Sequence, residues 1–542
     1  MKKILLTLGL MLMLVFSLSA QMVEKTFFFN NPQFEQYQNY EQITLDCSVG
    51  TLSLESVQGA EVGNPNLPWY SVSLLLPQNT EAQEVEFEFS DFIEIEGSHL
   101  LYPYQAPRPL SVTKDIPFEK NENVYASEDL YPTRYSSDVE TQYLNGYSVA
   151  LSGFTPVRYV PSTGKLSYAQ NVTVRISYTT SRVDKSKMLN TAPEIKSRVE
   201  RLAQNPELLG LYADNQKQRS ISGYELLVIT PEEWVSHFDE YKSFYDAKGL
   251  RTRVRSLEEI YSSVDGRDDQ EKIRAYIAQE YENEGVMMVL LGGDSNVVPY
   301  RSLYCYVSSE YVDNLPADMY YVCLDGSWDD DNDGLWGEVG EDDLLPELAI
   351  ARMPFNNEDQ FNNMMHKTLE YQANPVLGEF NDIVFGGEHL GDGYYGSNDL
   401  ELLIGEHDDD GYTTIGIPEH YTFHRIYSDG PSGWNGTIFR NKINEVGGGY
   451  VHHVGHANTD YVAGWYVNST NDNSFVHLNG ETHNYNFFHS HGCICGDFTS
   501  TCILERLVKR RKPSPEACPS RLAPFSASAI GRKRRINKWR SN

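Results

Sequence analysis

Basic residues are scarce in this chain of 542 residues, which has 44 lysines and arginines against 76 aspartates and glutamates and a formal net charge of −32. Nucleic acids and anionic membrane surfaces both bind proteins through faces rich in lysine and arginine. The composition therefore argues against nucleic acid or a membrane surface as a partner. It favours an acidic, solvated surface that keeps the protein soluble.

Long apolar runs are also missing. After the first 20 residues no stretch of about 18 apolar residues, the length that indicates a membrane helix, occurs, so no transmembrane segment is predicted. At the start of the chain, two lysines precede an apolar run that is too short to span a membrane comfortably, and small residues follow it up to Ala20. This order is typical of a secretory signal peptide. We therefore expect residues 1–20 to be removed and the protein to be secreted from a bacterium or displayed on its surface.

Cysteine is uncommon, with seven residues in all. Cys47, Cys305 and Cys323 have no regular spacing, whereas three cysteines fall close together between Cys493 and Cys502. Secretion permits disulfides, but an odd count leaves at least one thiol free. A free thiol in a secreted protein is a candidate reactive group.

Residues 21–182 have the pattern of an all-β domain. Short runs such as 84–95 and 166–178 alternate polar and apolar side chains and end at Pro, Gly, Asn or Ser, which predicts strands. We expect a β-sandwich here. Residues 183–223 follow as a polar, partly helical connector.

From residue 224 to residue 508 the pattern changes to alternating strands and helices. Residues 269–285 indicate a helix ended by glycine, and residues 286–294 indicate the buried strand that follows it. Units of this kind predict an α/β fold with a mainly parallel sheet covered by helices on both faces.

Three further predicted strands end in reactive side chains, those of Glu388, His456 and Cys493. In open parallel sheets, reactive groups gather beyond the carboxyl ends of the strands. We therefore expect these three side chains at one edge of the sheet.

Cys493 lies in a patch of metal-binding residue types: His452, His453, His456, His477, His483, His489, His491, Cys493 and Cys495. Zinc sites usually show closely spaced ligand pairs. His452 and His456 are on a predicted strand, where residues four apart are separated by about 13 Å, and the motif H-E-x-x-H is missing. A Cys493–Cys495 disulfide would stand near the upper limit of bridgeable Cα separations. The sequence also allows Cys493 to be an inert, buried cysteine.

Cys493 is also a candidate nucleophile. The glycines around it and a helix predicted at residues 499–508 would form a sharp turn that presents the thiol near a helix N-terminus, which favours the thiolate. His456, at the end of a separate strand, is the candidate base. From these residues alone, Cys493 can be a nucleophile, a metal ligand or an inert cysteine.

The segments G-G-G-Y-V-H-H-V-G-H-A-N and H-G-C-I-C-G-D-F, whose last histidine and first cysteine are 37 residues apart, resemble the catalytic pair of the gingipain family of cysteine peptidases. Other segments of residues 224–507 fall in that family's order. The region before them resembles the family's propeptide domain, most clearly at G-N-P-N-L-P-W-Y-S-V-S-L-L-L-P. The resemblance implies a caspase-like fold and a peptidase made as a zymogen.

The resemblance makes Cys493 the nucleophile, His456 its partner and Glu388 the acid that orients the histidine. The backbone N–H groups of Cys493 and Ala457 would bind the oxyanion, although Ala457 stands where gingipains have glycine. Cys495 would be a bystander. The substrates would be proteins or peptides, and the chemistry requires no cofactor. The alternative is a catalytically inactive, secretion-associated protein on the same fold.

The prodomain implied by the resemblance would inhibit the peptidase until the connector is cut. Lys217 and Arg219 lie in a polar segment just before the first predicted α/β strand. Exposed polar loops are preferred sites of proteolysis, so we expect processing there.

The acidic segment D-D-D-N-D-G is a candidate site for structural calcium. Asp329, Asp331 and Asp333 match the start of a calcium-binding loop, and Glu338 is among the acids that could complete the set of oxygen ligands. The family resemblance supports a calcium ion. The alternative is a solvated acidic loop without a ligand.

Residues 509–542 carry the opposite charge to the rest of the chain, with Glu516 as their only acidic residue. They have no usable periodicity. The segment is either a basic interaction tail or, as we expect, an ending introduced by a frameshift or gene disruption near Val508.

Overall fold

The structure, a computed structural model, describes residues 21–37, 39–49, 53–54, 61–105, 117–181, 188–212, 223–307, 310–391, 393–409 and 412–510. The chain divides into two compact units, the first formed mainly by the described residues before 213 and the second mainly by those after 222. The predicted signal peptide, the predicted processing residues Lys217 and Arg219, and residues 511–542 of the predicted tail lie outside the described residues.

The first unit is built from antiparallel strand pairs. Its strands are β1 (Met22–Tyr37), β2 (Tyr40–Cys47), β3 (Ser53–Leu54), β4 (Trp69–Leu75), β5 (Thr80–Phe89), β6 (Phe92–Ile95), β7 (Glu140–Leu144), β8 (Tyr147–Phe154), β9 (Val157–Val160), β10 (Lys165–Ala169) and β11 (Asn171–Thr180). Among the described residues between β6 and β7, Glu122–Tyr125 form a short helix, α1. The strands form sheets in the orders β2-β1-β11-β5, β3-β4-β8-β7 and β6-β10-β9.

Alternating side chains explain how these sheets pack. In β11, Val172, Val174 and Ile176 are buried, and the residues between them are partly exposed, as expected of a strand with one face on a core. They share a single hydrophobic core with Phe27 of β1 and Phe154 of β8. Two sheets therefore cover one core between them, and the predicted β-sandwich is confirmed.

Part of the predicted connector belongs to the first unit. It forms α2 (Pro193–Leu202) and a 3-10 helix (Pro206–Leu211). Between these helices, the Asn205 side-chain amide donates to the Leu75 carbonyl at 2.9 Å and accepts from the Leu75 N–H at 2.7 Å. The amide thereby satisfies two backbone groups of β4 and anchors the connector to the sandwich.

The second unit alternates strands and helices along the chain. Its strands are β12 (Leu226–Thr230), β13 (Thr252–Ser256), β14 (Met288–Gly292), β15 (Arg301–Val307), β16 (Glu310–Ala317), β17 (Ala349–Met353), β18 (Asp382–Gly387), β19 (His389–Gly391), β20 (Tyr394–Tyr395), β21 (Glu406–Asp409), β22 (Tyr412–Ile415), β23 (Thr422–Tyr427), β24 (Tyr450–Val454), β25 (Ala457–Asn458), β26 (Tyr461–Val462), β27 (Trp465–Tyr466) and β28 (Phe487–Ser490). Its α-helices are α3 (Asp239–Ala247), α4 (Leu257–Ser263), α5 (Asp269–Glu284), α6 (Glu358–Ala373), α7 (Gly396–Glu401), α8 (Gly436–Val446) and α9 (Ile503–Lys509). Short 3-10 helices occupy Glu232–Phe238, Asp318–Tyr321 and Leu377–Glu379. None of the described helices combines the length and the apolar composition that a membrane-spanning segment requires.

Two four-stranded parallel sheets organise this unit, in the orders β13-β12-β14-β17 and β23-β18-β24-β28. The second sheet is covered on both faces. Val384 of β18 packs with Phe439 of α8 in one core, whereas Phe385, the next residue, packs with Leu400 of α7 in another. The predicted parallel α/β fold is therefore confirmed, although as two sheets.

The last helix differs from its prediction at both ends. α9 begins at Ile503 and not at residue 499, because the Asp497 carboxylate accepts the Thr499 N–H in a turn and the Cys502 sulfur caps the helix. At its other end the helix continues through Lys509, past the predicted start of the tail, and Arg510 is buried as well.

Candidate active site

Glu388, His456 and Cys493 lie beyond the carboxyl ends of three adjacent parallel strands. Glu388 directly follows β18, while His456 comes two residues after the end of β24 and Cys493 three residues after the end of β28. These strands are neighbours in the order β18-β24-β28. The sheet therefore brings the three residues to a single edge, as the sequence predicts.

The segments that carry Cys493 and His456 are packed against each other. A Cβ atom added at Gly492 would lie 2.3 Å from the Cβ of Ala457, far inside van der Waals contact. The His491 N–H donates to the His453 carbonyl at 2.8 Å, which prolongs the pairing of the two strands. Glycine before Cys493 therefore permits the close approach of the two loops.

Cys493 is a half-buried free thiol on a tight turn. The next residue, Ile494, has a φ of 41°, a left-handed conformation that is strained for a β-branched side chain. Strain of this kind is common where a turn presents a reactive side chain. The expected helix N-terminus is not at this turn, because α9 begins only at Ile503.

Cys495 differs from its neighbour in burial. It is a free, fully buried thiol whose Sγ donates to the Gly492 carbonyl. Burial raises the pKa of the Cys495 thiol to about 11. Such a thiol is protonated at neutral pH and is a poor nucleophile, and the structure contains no disulfide between Cys493 and Cys495.

The two nitrogens of the His456 imidazole differ in their hydrogen bonding. Its Nε2 lies 3.0 Å from the His389 carbonyl. A carbonyl only accepts hydrogen bonds, so Nε2 must carry the proton and Nδ1 the lone pair. His456 Nδ1 is buried and has no hydrogen-bond partner among the described residues. This ring is therefore oriented as a base.

Glu388 does not orient His456 as the sequence suggested. Its Oε1 accepts from Nε2 of His453 at 3.0 Å, and Nδ1 of His453 lies 2.9 Å from Ser490 Oγ. The Ser490 oxygen in turn accepts the Gly492 N–H at 3.0 Å. A continuous chain of hydrogen bonds thus connects the Glu388 carboxylate to the residue before Cys493.

His453 and Ser490 are buried members of this chain. Sequence reasoning placed His453 only in the patch of metal-binding residue types and did not single out Ser490. Their contact follows from register, because His453 pairs with Ser490 across β24 and β28. The register of two parallel strands is not visible in the sequence. A Cβ at Gly455 would lie 2.3 Å from His453 Nε2 and 2.5 Å from Glu388 Cγ, so glycine before His456 leaves room for the pair.

The predicted oxyanion donors lie on the same two loops. Ala457 is buried in β25, where it pairs with Val462 of β26. The backbone N–H of Cys493 has no hydrogen-bond partner in the part of the chain that the structure describes. Both N–H groups stay candidates for binding a developing negative charge.

The predicted calcium ligands form two overlapping groups of carboxylates. Oxygens of Asp329, Asp331 and Asp333 lie within 4.8 Å of one another, as do those of Asp331, Glu338 and Glu341. Partial burial and the charges of these neighbours raise the pKa of Glu338. Arg267 compensates one charge by binding Asp329 at 2.6 Å. Hard carboxylate oxygens that repel one another suit a calcium ion.

A third acidic group, not predicted from the sequence, lies nearby in the chain. Asp325, Asp343 and Glu347 are buried, and their carboxylate oxygens also converge within 4.8 Å. Asp343 accepts the Gly326 N–H at 2.8 Å, and Glu347 accepts the Leu324 N–H at 2.7 Å. Backbone donors thus stabilise part of this negative charge.

The patch of histidines predicted as one group separates into different environments. His453 binds Glu388, His456 binds the His389 carbonyl, and His483 binds Glu379 at 2.6 Å. Only three of the nine residues, all of them histidines, form a group of ligand atoms within 4.8 Å in the described chain: His452, His489 and His491. Cys493 and Cys495 belong to no such group.

Comparison with known proteins agrees with this architecture. The model of Peptidase family C25 matches residues 220–518, and the model Propeptide_C25 matches residues 13–200. Gingipain R2 of Porphyromonas gingivalis (strain ATCC BAA-308 / W83) is 23% identical over 326 residues, which cover 59% of this chain and 40% of that protein. Gingipain R1 of Porphyromonas gingivalis is 24% identical over 326 residues, or 59% of this chain and 29% of that protein. The chain thus spans less than half the length of either relative.

Among solved structures, the complex of Porphyromonas gingivalis RgpB pro- and mature domains is similar with a TM-score of 0.40 and 18% identity, over 56% of this chain and 64% of that chain. The family match covers more than half of the present chain. The protein therefore belongs to peptidase family C25, the gingipain family of cysteine peptidases, and carries the family's propeptide region.

Proposed function

We propose that this protein is a secreted cysteine endopeptidase made as a zymogen, with Cys493 as nucleophile and His456 as base. One observation carries the proposal: the two residues follow adjacent parallel strands, and Gly492 and Ala457 beside them are in contact. A thiol and an imidazole presented on abutting loops are the arrangement that thiol catalysis requires.

In the proposed reaction, His456 Nδ1 takes the proton from the Cys493 thiol. The thiolate attacks the carbonyl carbon of the scissile peptide, and the backbone N–H groups of Cys493 and Ala457 bind the oxyanion. The C–N bond then breaks, and the proton on His456 goes to the leaving amine. Water attacks the resulting thioester and passes a proton to Nδ1. The C–S bond then breaks, the acid is released, and the proton on Nδ1 returns to the Cys493 thiolate to restore the thiol.

Glu388 would act through His453 in this scheme, as a positioning residue. The chain Glu388–His453–Ser490 ends at the Gly492 N–H and so fixes the backbone next to Cys493. His456 would be oriented by the main-chain carbonyl of His389. Positioning of this kind matters because small displacements of a reactive atom cost large factors in rate.

A calcium ion held by Asp329, Asp331, Asp333 and Glu338 would support the fold without taking part in the chemistry. The convergence of the oxygens of Asp329, Asp331 and Asp333, and of Glu338 with Asp331 in the overlapping group, supports this assignment. A bound cation would offset the mutual repulsion of the carboxylates.

The first unit would act as the inhibitory prodomain, and cleavage near Lys217 and Arg219 would release the peptidase. Proteins or peptides would be the substrates, outside the cell or at its surface. N-terminal sequencing of the secreted protein should find a start near Ser220 whenever activity is present. Activity with the chain uncut there would contradict the zymogen part of the proposal.

Labelling with a thiol-directed peptidyl electrophile tests the catalytic assignment. A peptidyl chloromethyl ketone alkylates a thiolate that an imidazole has activated, and mass spectrometry of the digested protein locates the adduct. We expect selective labelling at Cys493, lost on denaturation and in His456→Ala. Equal labelling of exposed thiols, or none in processed protein, would favour the inactive, secretion-associated alternative.

A further inference from the structure

Three histidines lie together on one side of the second sheet. His452 of β24 and His489 of β28 are register partners, and His491 follows two residues later. Side chains alternate across a sheet, so this side is opposite the one that holds His453 and Ser490. One ring nitrogen from each of the three histidines lies within 4.8 Å of the others.

The three rings form a compact cluster. His452 and His489 stack with their centroids 4.4 Å apart, and His491 meets both rings edge-on at 4.9 Å. The Tyr450 hydroxyl lies 3.2 Å from His452 Nδ1 and 3.0 Å from His489 Nδ1. A phenol oxygen can accept from two N–H groups, so this contact suits imidazoles that carry their protons on Nδ1 and use Nε2 as a donor to a metal.

His452 supplies a second, independent observation. Its side chain is only 2% exposed, and its Nε2 has no hydrogen-bond partner among the described residues. A buried polar nitrogen without a partner is unfavourable, and most such atoms in native proteins have an explanation such as a ligand. Burial also lowers the pKa of all three histidines, to about 4 for His489. Burial thus favours the neutral imidazoles, which keep a lone pair that can bind a metal.

We propose that His452, His489 and His491 bind a divalent transition metal, with Zn²⁺ as the preferred ion and water as a fourth ligand. Neutral imidazole is a favoured zinc ligand, and zinc sites with three protein ligands keep a fourth position for water. Zn–N bonds of about 2.0–2.1 Å require the nitrogens to move closer together. The partly exposed side chains of His489 and His491 can rotate to do so.

Tyr450 is the outer partner that such a site requires. Histidine ligands usually hold their other nitrogen in a hydrogen bond, which fixes the ring, and Tyr450 does this for two of the three. The ion would join β24 to β28 just before the loop of Cys493. Its role is structural, because it would hold together the ends of the two strands that carry the loops of the candidate active site.

Zinc titration of the full chain in a Cys493→Ala background tests the proposal. This background removes the nearby thiol and prevents self-digestion. The protein is prepared without a histidine tag and is saturated with Ca²⁺, so that the acidic loops do not bind the added metal. We expect one tight site by calorimetry, a raised Tm, and intense visible absorption bands when Co²⁺ replaces Zn²⁺, as four-coordinate cobalt gives.

Matched variants assign the ligands. His489→Gln and His491→Gln should each weaken Zn²⁺ binding at least tenfold and remove the cobalt bands, whereas His477→Gln, at an exposed histidine outside the cluster, should change neither. Near-ultraviolet circular dichroism checks that each variant is folded. If His489→Gln does not fold, the result for His491→Gln decides the test. Binding that survives in a folded His491→Gln chain, or no stoichiometric binding by the parent, overturns the proposal.

Discussion

Glu388 and His453 form a buried pair: the Oε1 of Glu388 lies 3.0 Å from the Nε2 of His453, and neither side chain is more than 7% exposed. His456, the predicted partner of Glu388, donates instead to the His389 carbonyl. The acid beside the candidate nucleophile therefore stabilises the loop of Cys493 and not the ring of His456.

A double-mutant cycle distinguishes the two roles of Glu388. His453→Ala should lower the free energy of unfolding by about 3–5 kcal/mol, because it leaves a buried carboxylate without its partner. Glu388→Ala and His453→Ala should show a coupling energy of about 0.5–3 kcal/mol. Glu388→Ala and His456→Ala should be additive within about 0.5 kcal/mol. Urea unfolding in the Cys493→Ala background measures all three, and strong coupling of Glu388 to His456 would restore the role predicted from the sequence.

The two cysteines should respond differently to substitution. Cys493→Ala should abolish peptide hydrolysis and change the free energy of unfolding by less than about 1 kcal/mol, since the side chain is partly exposed. Cys495→Ala should keep most activity but lose about 1 kcal/mol of stability, because its sulfur is buried. Turnover of a fluorogenic peptide and thermal melting report the two effects. Equal loss of activity in both variants would point to a shared metal or disulfide role.

Gly492 and Ala457 offer a steric test of loop packing. Gly492→Ala places a methyl group 2.3 Å from the Ala457 Cβ, so one loop must move and activity should fall by about 100-fold, the order expected for a displacement of 1 Å. Adding Ala457→Gly removes the clash and should restore at least a tenth of the activity. The single variant Ala457→Gly, assayed alone, is the control. Activity of Gly492→Ala at the parental level would show that the loops do not meet.

The placement of the candidate site could be predicted from sequence because it depends on local signals. Buried strands, the residues that end them, and the rule that reactive groups lie beyond carboxyl ends together locate Glu388, His456 and Cys493. The partner of Glu388 could not be predicted. The strand was expected to reach His456, but β24 ends at Val454. Which side chains of two paired strands meet on the same face of the sheet depends on their register, and a shift of one residue moves each side chain to the other face.

The separation of the histidines has the same physical origin. His452 and His453 are consecutive on a strand, so they point to opposite sides of the sheet and take part in different networks. The sequence shows only that both are present. The long-range partners, Tyr450 with His489 and His453 with Ser490, arise from pairing between strands that are far apart in the chain.

Removal of calcium should destabilise the protein if the acidic loop binds it. Excess chelator should lower the Tm by several degrees, because a ligand bound only by the native state stabilises it by mass action. Asp331 belongs to both groups of carboxylates, so Asp331→Asn should abolish most of the response, while Asp91→Asn, on the surface of the first unit, should not. If Asp343→Asn, and not Asp331→Asn, abolished the response, the calcium ion would be assigned to the buried group of Asp325, Asp343 and Glu347 instead.

A buried lysine should make stability depend on pH above neutrality. Lys367 of α6 is 1% exposed and donates to the Val508 carbonyl in α9 at 2.8 Å, a contact between residues far apart in sequence that no local pattern reveals. Burial, and then the nearby charge of Arg510, lower the pKa of Lys367 from 10.5 to about 7. The unfolded chain keeps its proton up to about pH 10, whereas the folded chain releases it near pH 7.

Between these two pH values the unfolded state binds more protons than the native state, so the free energy of unfolding should rise with pH, by up to about 1.4 kcal/mol per unit. Lys367→Met should remove this dependence, and the stability difference between parent and variant should grow in the parent's favour from pH 7 to pH 9. Lys442→Met, at a partly exposed lysine paired with Glu445, is the matched control and should run parallel to the parent. Urea unfolding in steps of pH measures the effect. A constant difference between the parent and Lys367→Met would show that the Lys367 ammonium stays charged in the folded protein, despite its burial.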